Sequence, residues 1–156
     1  MKSVIGIGEY GISDNKYDTL KTFALASCVA ITAYNPVRRT GAMVHVALPK
    51  PSNNEERLSR PCYYATSGIP LMIEKLCSNC GCYKSDLQIQ IFGGAESIND
   101  KDIFQIGKKN IEAVIETLNK MNLKISKADI GGRVSRTVEF DSNTGAVYIT
   151  CQPITI

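Results

Sequence analysis

The sequence lacks the features that mark membrane, secreted and nucleic-acid-binding proteins. No apolar run approaches the roughly 18 residues of a transmembrane helix, and residues 1–9 lack the continuous apolar stretch of a signal peptide. The net charge is only +3, with no basic stripe that carries interleaved aromatic residues. We therefore expect a cytoplasmic protein that neither inserts into a membrane nor binds nucleic acid.

The chain also lacks internal repeats, low-complexity tracts and linkers, so we expect residues 1–156 to form a single domain. Hydrophobic residues make up 44% and charged residues 21% of the chain, as in soluble globular proteins and unlike disordered ones. Six cysteines are present, but a disulfide framework requires a secreted context that residues 1–9 do not supply. We therefore expect the thiols to be reduced.

Hydrophobic periodicity predicts more strands than helices. Strand patterns cover residues 4–12, 22–26, 29–34, 42–48, 87–92, 123–130 and, as two strands, 137–150. Two main helices are predicted, over 106–121 and over 64–78, where Pro70 predicts a kink or a helix start. The polar segment 49–61 predicts a mobile surface loop. Because strands and helices do not alternate strictly, the pattern favours the α+β class: a layered sandwich with a mostly antiparallel mixed β-sheet and two main helices.

One thiol and the only imidazole of the chain lie in neighbouring strand patterns. Cys28 precedes one pattern and His45 lies in the next, with a turn between them. A thiol and an imidazole are the minimum for cysteine nucleophilic catalysis, because the thiolate is the reactive form and the imidazole can take its proton. Taken alone, each residue has a commoner structural explanation, since free cysteine is often a small buried hydrophobe and a lone histidine in an apolar strand is usually structural.

The residues around Cys28 and His45 belong to longer motifs. Thr22 precedes Ala26-Ser27-Cys28-Val29, and Gly41-Ala42-Met43-Val44-His45-Val46-Ala47-Leu48-Pro49 follows. Further motifs are Val4-Ile5-Gly6-Ile7-Gly8-Glu9-Tyr10, Ile91-Phe92-Gly93-Gly94-Ala95, Ile106-Gly107-Lys108-Lys109-Asn110, Asp129-Ile130-Gly131-Gly132 and Arg136-Thr137-Val138-Glu139-Phe140. In order and spacing these motifs resemble the CheD family, the chemoreceptor glutamine deamidases of bacterial and archaeal chemotaxis.

The resemblance implies a fold, an activity and a set of site residues. It implies a CheD-like α+β fold and a protein-glutamine deamidase that converts specific glutamine side chains of methyl-accepting chemotaxis receptors to glutamate and ammonia. Cys28 is then the nucleophile, His45 the base, and Thr22 the residue that orients His45. Backbone N–H groups at Ser27 and Cys28 hold the oxyanion, and no metal or organic cofactor is needed.

The resemblance also implies two protein partners. The receptors are long helical coiled coils, so we expect substrate recognition at an exposed groove near Cys28 and not in a deep small-molecule pocket. The second partner is a CheC-type phosphatase that dephosphorylates the response regulator CheY. We expect the free protein to be a monomer.

Departures from the family pattern keep alternatives open. Ala26 replaces the glycine that the family usually has two residues before the nucleophile, and Ala24 stands where a close relative can carry glycine. Arg133-Val134 replaces the usual Asn-Arg after the paired glycines. The alternative is a non-enzymatic or weakly active regulatory module that binds chemoreceptors and a CheC-type phosphatase. A cysteine hydrolase that acts on another amide also stays open, because mechanism alone does not define substrate.

Three cysteines fall outside the family pattern. Cys77, Cys80 and Cys82 can supply three thiolates to zinc, with Cys62 or Cys151 as a fourth. However, the paired spacing of zinc sites is absent, and the sole histidine is already assigned. We therefore expect incidental, metal-free cysteines at a helix end.

Overall fold

The computed structural model describes residues 1–13, 15–97 and 104–154. These ranges contain nine strands: β1 (Lys2–Val4), β2 (Tyr10–Ile12), β3 (Thr19–Leu25), β4 (Val29–Asn35), β5 (Thr40–Val46), β6 (Gln88–Gly93), β7 (Ile125–Ile130), β8 (Val134–Asp141) and β9 (Val147–Pro153). They also contain three α-helices, α1 (Asn54–Ser59), α2 (Ala65–Cys80) and α3 (Ile106–Lys120), and short 3-10 helices at Pro61–Tyr63 and Lys84–Asp86.

The strands divide between two sheets. A four-stranded sheet has the order β1-β3-β8-β9, and a five-stranded sheet has the order β2-β5-β4-β6-β7. Only two neighbouring pairs in the described residues are parallel, β1 with β3 and β6 with β7. The predicted α+β class with mostly antiparallel, mixed strand pairing is therefore confirmed, and the strands form two layers where the sequence pattern indicated one.

The five-stranded sheet is the middle layer of the molecule. One of its faces packs against α2 and α3, and the other packs against the four-stranded sheet. Every residue of β4 is buried, because this central strand is covered on both faces. Its sequence therefore reads as a nearly continuous apolar run instead of an alternating one. The hydrophobic core therefore has two parts, one between the five-stranded sheet and the helices and one between the two sheets. Side chains that point toward the four-stranded sheet, such as Ala30 and Met43, lie in the part between the sheets.

Residues 4–12 do not form the single strand that their alternation predicts. β1 ends at Val4 in the four-stranded sheet, and β2 begins at Tyr10 in the five-stranded sheet. The segment 5–9, here called the crossover, connects the two layers, and Gly8 within it has a φ of +76°. The prediction was wrong because a local alternation of apolar residues does not show that a chain changes sheets.

The helices also differ in detail from their predicted bounds. α2 begins at Ala65 and continues through Pro70, so the proline is not its start. The helix ends at Cys80 and is capped by Gly81, whose left-handed backbone, with a φ of +65°, directs its N–H to the Cys77 carbonyl. The predicted loop 49–61 contains α1, which is capped by the Asn53 side chain. None of the helices in the described residues is both long enough and apolar enough to cross a membrane.

Candidate active site

Strand pairing places the Cys28 and His45 side chains on the same face of the five-stranded sheet. β4 and β5 are antiparallel, with Ala30 directly opposite His45. Cys28 lies two residues before Ala30, so it shares the face of Ala30 and is the diagonal neighbour of His45. Diagonal neighbours have Cβ atoms somewhat less than about 7–8 Å apart. The expectation that the two residues lie on neighbouring strands or at their ends is confirmed.

The third residue of the motif approaches His45 from the other sheet. Thr22 lies on β3, and its Oγ1 is 2.8 Å from His45 Nδ1. The same hydroxyl donates to the Ile5 carbonyl in the crossover, at 2.7 Å. A threonine hydroxyl has one proton, so Oγ1 must accept from Nδ1–H if it donates to Ile5. This network assigns the proton to Nδ1 and leaves the lone pair on Nε2.

Burial keeps both reacting groups of the candidate pair neutral. His45 is only 3% exposed, and burial lowers the pKa of its imidazole from the ordinary 6.5 to about 4. Cys28 is half-buried, and burial raises the pKa of its thiol. His45 Nε2 is buried and has no hydrogen-bond partner within the described residues. At neutral pH the site therefore holds a neutral thiol and a neutral imidazole on one sheet face, with no hydrogen bond between them in the described residues, and not a preformed ion pair.

The backbone of residues 26–28, here called the thiol loop, is anchored through its carbonyl groups. These three carbonyls accept hydrogen bonds from the Ala95 N–H (2.7 Å, at Ala26), the Asn110 side-chain nitrogen (2.8 Å, at Ser27) and the Gly94 N–H (2.8 Å, at Cys28). The N–H groups of Ser27 and Cys28 meet no acceptor in the described part of the chain. The loop therefore has fixed carbonyls and, next to the thiol, two backbone donors that no described residue accepts from.

Gly93, beside the thiol loop, is required by close backbone contact. Gly93 has a φ of +112°, and a Cβ at this position would overlap the Cys28 carbonyl oxygen. The Gly93 carbonyl in turn accepts from the Gly131 N–H at 2.9 Å. Gly131 also binds Arg136, a 4% exposed residue whose Nη2 donates to the Gly131 carbonyl at 2.9 Å. The departure at Arg133-Val134 follows this turn, and Val134 begins β8.

The positions of Ala24 and Ala26 reverse the expected importance of these two departures. Ala24 has a φ of +52°, whereas Ala26 is not among the residues with positive φ in the described ranges. Ala24 lies in an irregularity of β3 between Thr22 and Leu25, where the pairing with β8 changes register. Left-handed backbone costs an alanine about 1–2 kcal/mol. The position that favours glycine is therefore Ala24, four residues before the thiol.

The other cysteines lie away from the thiol loop. Cys77 and Cys80 are near the end of α2 and Cys82 follows it; the Sγ atom of Cys82 is 2.7 Å from that of Cys80 and 3.9 Å from that of Cys77. Cys62 is buried in the 3-10 helix before α2, and Cys151 is exposed on β9. The described residues contain no group of three or more histidine, cysteine or acidic side chains arranged to hold a metal ion. That the three cysteines are metal-free stays a prediction.

Sequence reasoning did not identify Asn110 as part of the site. This residue of α3 is fully buried, and its side-chain nitrogen donates to the carbonyls of Ser27 at 2.8 Å and Ala47 at 3.0 Å. Its signal in the sequence is a polar residue at helical spacing from the apolar Val114 and Leu118. A polar residue on a buried face requires hydrogen-bond partners, and here the partners are the thiol loop and the end of the His45 strand.

Fold and site together describe an α+β protein with a thiol, a buried neutral imidazole and a hydroxyl hydrogen-bonded to that imidazole, the kinds of group that cysteine hydrolases use. The family model described as CheD chemotactic sensory transduction matches residues 47–151. The chain belongs to the CheD family, as its motifs predict.

Relatives extend the similarity over nearly the whole chain. A probable chemoreceptor glutamine deamidase CheD of Syntrophotalea carbinolica is 39% identical over 151 residues, which cover 95% of this chain and 93% of the relative. The chemoreceptor glutamine deamidase CheD of Thermotoga maritima is 36% identical over 149 residues, 96% of this chain and 91% of the relative. A probable chemoreceptor glutamine deamidase CheD 1 of Syntrophus aciditrophicus is 33% identical over 147 residues, 94% of this chain and 91% of the relative.

Proposed function

We propose that the protein is a cytoplasmic, cysteine-dependent deamidase that hydrolyses glutamine side chains of methyl-accepting chemotaxis receptors. The observation that carries this proposal is the pair of hydrogen bonds at Thr22 Oγ1, which leaves His45, on the sheet face shared with Cys28, with an Nε2 lone pair that no described residue uses. Chemoreceptor glutamine deamidase is also the name of the relatives. Fold similarity alone does not define activity, which depends on the residues of the site.

The first step is attack of the Cys28 sulfur on the side-chain amide carbon of the glutamine. As the S–C bond forms, His45 Nε2 takes the thiol proton, and the carbonyl electron pair moves to oxygen. Because both groups are neutral beforehand, proton transfer accompanies the attack and does not precede it. The free N–H groups of Ser27 and Cys28 stabilise the resulting oxyanion.

The second step releases ammonia. The oxyanion collapses to a carbonyl, the C–N bond breaks, and the proton on His45 Nε2 moves to the departing nitrogen. A thioester between Cys28 and the substrate remains. Water then attacks this thioester while His45 Nε2 takes one of its protons, and breakage of the C–S bond returns that proton to the thiol. The products are a glutamate side chain, ammonia and the unchanged protein.

Thr22 acts as a positioning residue through the whole cycle. The hydroxyl accepts from Nδ1–H, so it selects the tautomer whose Nε2 is free. It also favours the protonated imidazole that forms in each step, because Nδ1–H stays bonded while Nε2 carries the second proton. Donation to the Ile5 carbonyl prevents the hydroxyl from turning its own proton toward the ring.

Partner binding follows from the same proposal. Cys28 is half-buried, so a glutamine presented on the surface of a helical receptor can reach its sulfur without entering a deep pocket. A CheC-type phosphatase is the second partner, and the free protein is a monomer. Ala24 and Arg133-Val134 are the positions at which a weakly active binding module would differ from an active deamidase.

The test is conversion of receptor glutamines by the purified protein. Wild type incubated with a receptor fragment is expected to release ammonia and to raise the fragment mass by about 1 Da per converted glutamine, because amide becomes acid in this hydrolysis. Cys28→Ala is expected to produce neither change and to keep phosphatase binding, since it removes no large core side chain. Intact phosphatase binding by a wild-type protein that converts no glutamine would instead support the binding module.

A further inference from the structure

Asn110 uses both of its side-chain N–H groups on two backbone carbonyls. One N–H donates to Ser27 in the thiol loop at 2.8 Å, and the other donates to Ala47 at 3.0 Å, two residues after His45. Both carbonyls are acceptors only, so the amide nitrogen, and not the oxygen, must face them. α3 thus joins the thiol-bearing segment and the imidazole-bearing strand through one fully buried side chain.

The bond to Ser27 fixes the orientation of a proposed oxyanion donor. The Ser27 carbonyl and the Cys28 N–H belong to the same peptide group, and no cis peptide bond occurs in the described residues. In a trans peptide the C=O and N–H point in opposite directions. Because Asn110 holds the carbonyl toward α3, the Cys28 N–H must point away from α3. The Ala95 N–H does the same for the preceding peptide, where it holds the Ala26 carbonyl and so directs the Ser27 N–H.

The Asn110 side chain is retained despite an unsatisfied atom. Its Oδ1 is buried and has no hydrogen-bond partner within the described residues. An unsatisfied buried acceptor destabilises a fold, and an apolar side chain of similar size would avoid that cost. The two N–H donors are the part of the amide that makes hydrogen bonds here. A hydrogen bond to a peptide carbonyl also polarises the N–H at the other end of the same peptide.

We propose that Asn110 is a positioning residue for the oxyanion site, which holds the Ser27–Cys28 peptide so that the Cys28 N–H faces the developing negative charge. This inference deepens the proposed function and rests on it for the identity of the reaction. Asn110 contacts neither the thiol nor the imidazole by a hydrogen bond, so its effect is confined to steps that form an oxyanion. Reactions of the same thiol that form no oxyanion should not depend on it.

Two electrophiles separate these classes of reaction at Cys28. Iodoacetamide alkylates a thiol by displacement at a saturated carbon, so no oxyanion forms. p-Nitrophenyl acetate acylates it through a tetrahedral oxyanion, with nitrophenolate as the leaving group. Both rates are measured at Cys28 itself by peptide mass spectrometry, because five other cysteines are present. The measured quantity is the ratio of the acylation rate constant to the alkylation rate constant.

Asn110→Leu and Asn110→Asp are expected to lower this ratio about 10–100-fold, somewhat less than the loss of a whole oxyanion donor. Leucine removes both donors at similar size, and aspartate replaces them with acceptors that repel the two carbonyls. Alkylation of Cys28 should stay within about twofold of wild type, and receptor deamidation should lose kcat with little change in KM. Asn110→Ala, which removes both donors without adding a charge or a branched side chain, keeps the test available if these variants do not fold.

Val114→Ala is the matched control, because Val114 is a buried residue one helical turn along α3. It is expected to lower stability without changing the ratio. The proposal is overturned if alkylation and acylation fall together in the Asn110 variants, or if neither falls. Failure of the wild type to deamidate receptors would refute the proposed function alone, because the ratio at Cys28 does not require a receptor substrate.

Discussion

Cysteine thiols occur in two different settings in this protein, a cluster of three at the end of α2 and a single thiol before β4. The cluster of Cys77, Cys80 and Cys82 brings three sulfur atoms into contact. Cys28 has no second thiol nearby among its described contacts. It shares a sheet face with a buried neutral imidazole, and the N–H groups of Ser27 and Cys28 meet no acceptor in the described residues. Burial raises the pKa of Cys28, and it raises that of Cys82 to about 12. The candidate nucleophile therefore differs from the other thiols in having a base on the same sheet face and an oriented backbone beside it. Proximity of thiols and a low thiol pKa do not distinguish it.

The largest expected difference is between removal of Cys28 and removal of the cluster. Cys28→Ala should lower receptor deamidation about 10⁴-fold or more, because the covalent route is lost. The triple variant Cys77→Ser, Cys80→Ser and Cys82→Ser should keep a deamidation rate per folded molecule within about twofold of wild type. Substitutions at partly exposed positions away from the site act mainly on stability. Ammonia release from a receptor fragment measures both. A large loss in the triple variant would remove the distinction between the two regions.

Removal of the His45 imidazole is expected to cause the next largest loss of deamidation. His45→Gln keeps a side chain of similar size but supplies no general base, so kcat should fall about 10²–10⁴-fold. Alkylation of Cys28 by iodoacetamide at pH 7 should fall as well, because the thiol loses the group that takes its proton. Unchanged alkylation and unchanged deamidation would show that the Cys28 thiol reacts without His45.

Burial of His45 also predicts a pH dependence of stability. The pKa of His45 is about 4 in the folded protein and 6.5 ordinarily, so the unfolded chain binds the proton more tightly. Stability should therefore fall as the pH drops from about 6.5 toward 4, by up to about 3 kcal/mol for this shift. Urea unfolding at pH 7, 5 and 4 measures the fall. The same series on His45→Gln measures the part of the pH dependence that comes from the carboxylates. An equal loss of stability with falling pH in wild type and His45→Gln would contradict the assignment to His45.

A smaller effect is expected for the hydroxyl that orients the imidazole. Thr22→Val leaves His45 Nδ1 and the Ile5 carbonyl without their partner, so the tautomer is no longer selected and kcat should fall about 10–100-fold. Thr22→Ser keeps the hydroxyl, so its kcat should stay within several-fold of the wild-type value. Comparison of kcat and KM for the two variants is the measurement. Equal activity of the valine and serine variants would exclude the hydroxyl from the mechanism.

The smallest effect concerns the two alanines before the thiol. Ala24→Gly should stabilise the protein by about 0.5–1 kcal/mol, because the strain of a left-handed alanine exceeds the entropy that glycine loses on folding. Ala26→Gly is the matched control and should destabilise it by a similar amount, since Ala26 has no positive φ. Urea unfolding of both variants tests the pair. Stabilisation by Ala26→Gly would contradict the backbone assignment.

The sequence was sufficient for the family, the α+β class and most strands, because motifs and local periodicity carry that information. Thr22, Cys28 and His45 were identified from the motifs, and their catalytic roles stay predictions. The Ile5 carbonyl could not be found in this way, because a backbone acceptor has no side-chain signature. The division into two sheets was also out of reach, since it depends on pairing of β3 with β8, far along the chain. Asn110 had a detectable signal, a polar residue on an apolar helix face.

The pairing of β3 with β8 affects how the protein folds while it is being synthesised on the ribosome. Thr22 leaves the ribosome well before β8, the antiparallel neighbour of β3, has been made. Contacts between distant parts of a chain form late, after the cost of closing the long loop has been met. A nascent chain that already carries Cys28 and His45 therefore lacks the strand that supports Thr22, and the hydrogen bond between Thr22 and His45 becomes stable only after β8 has been made.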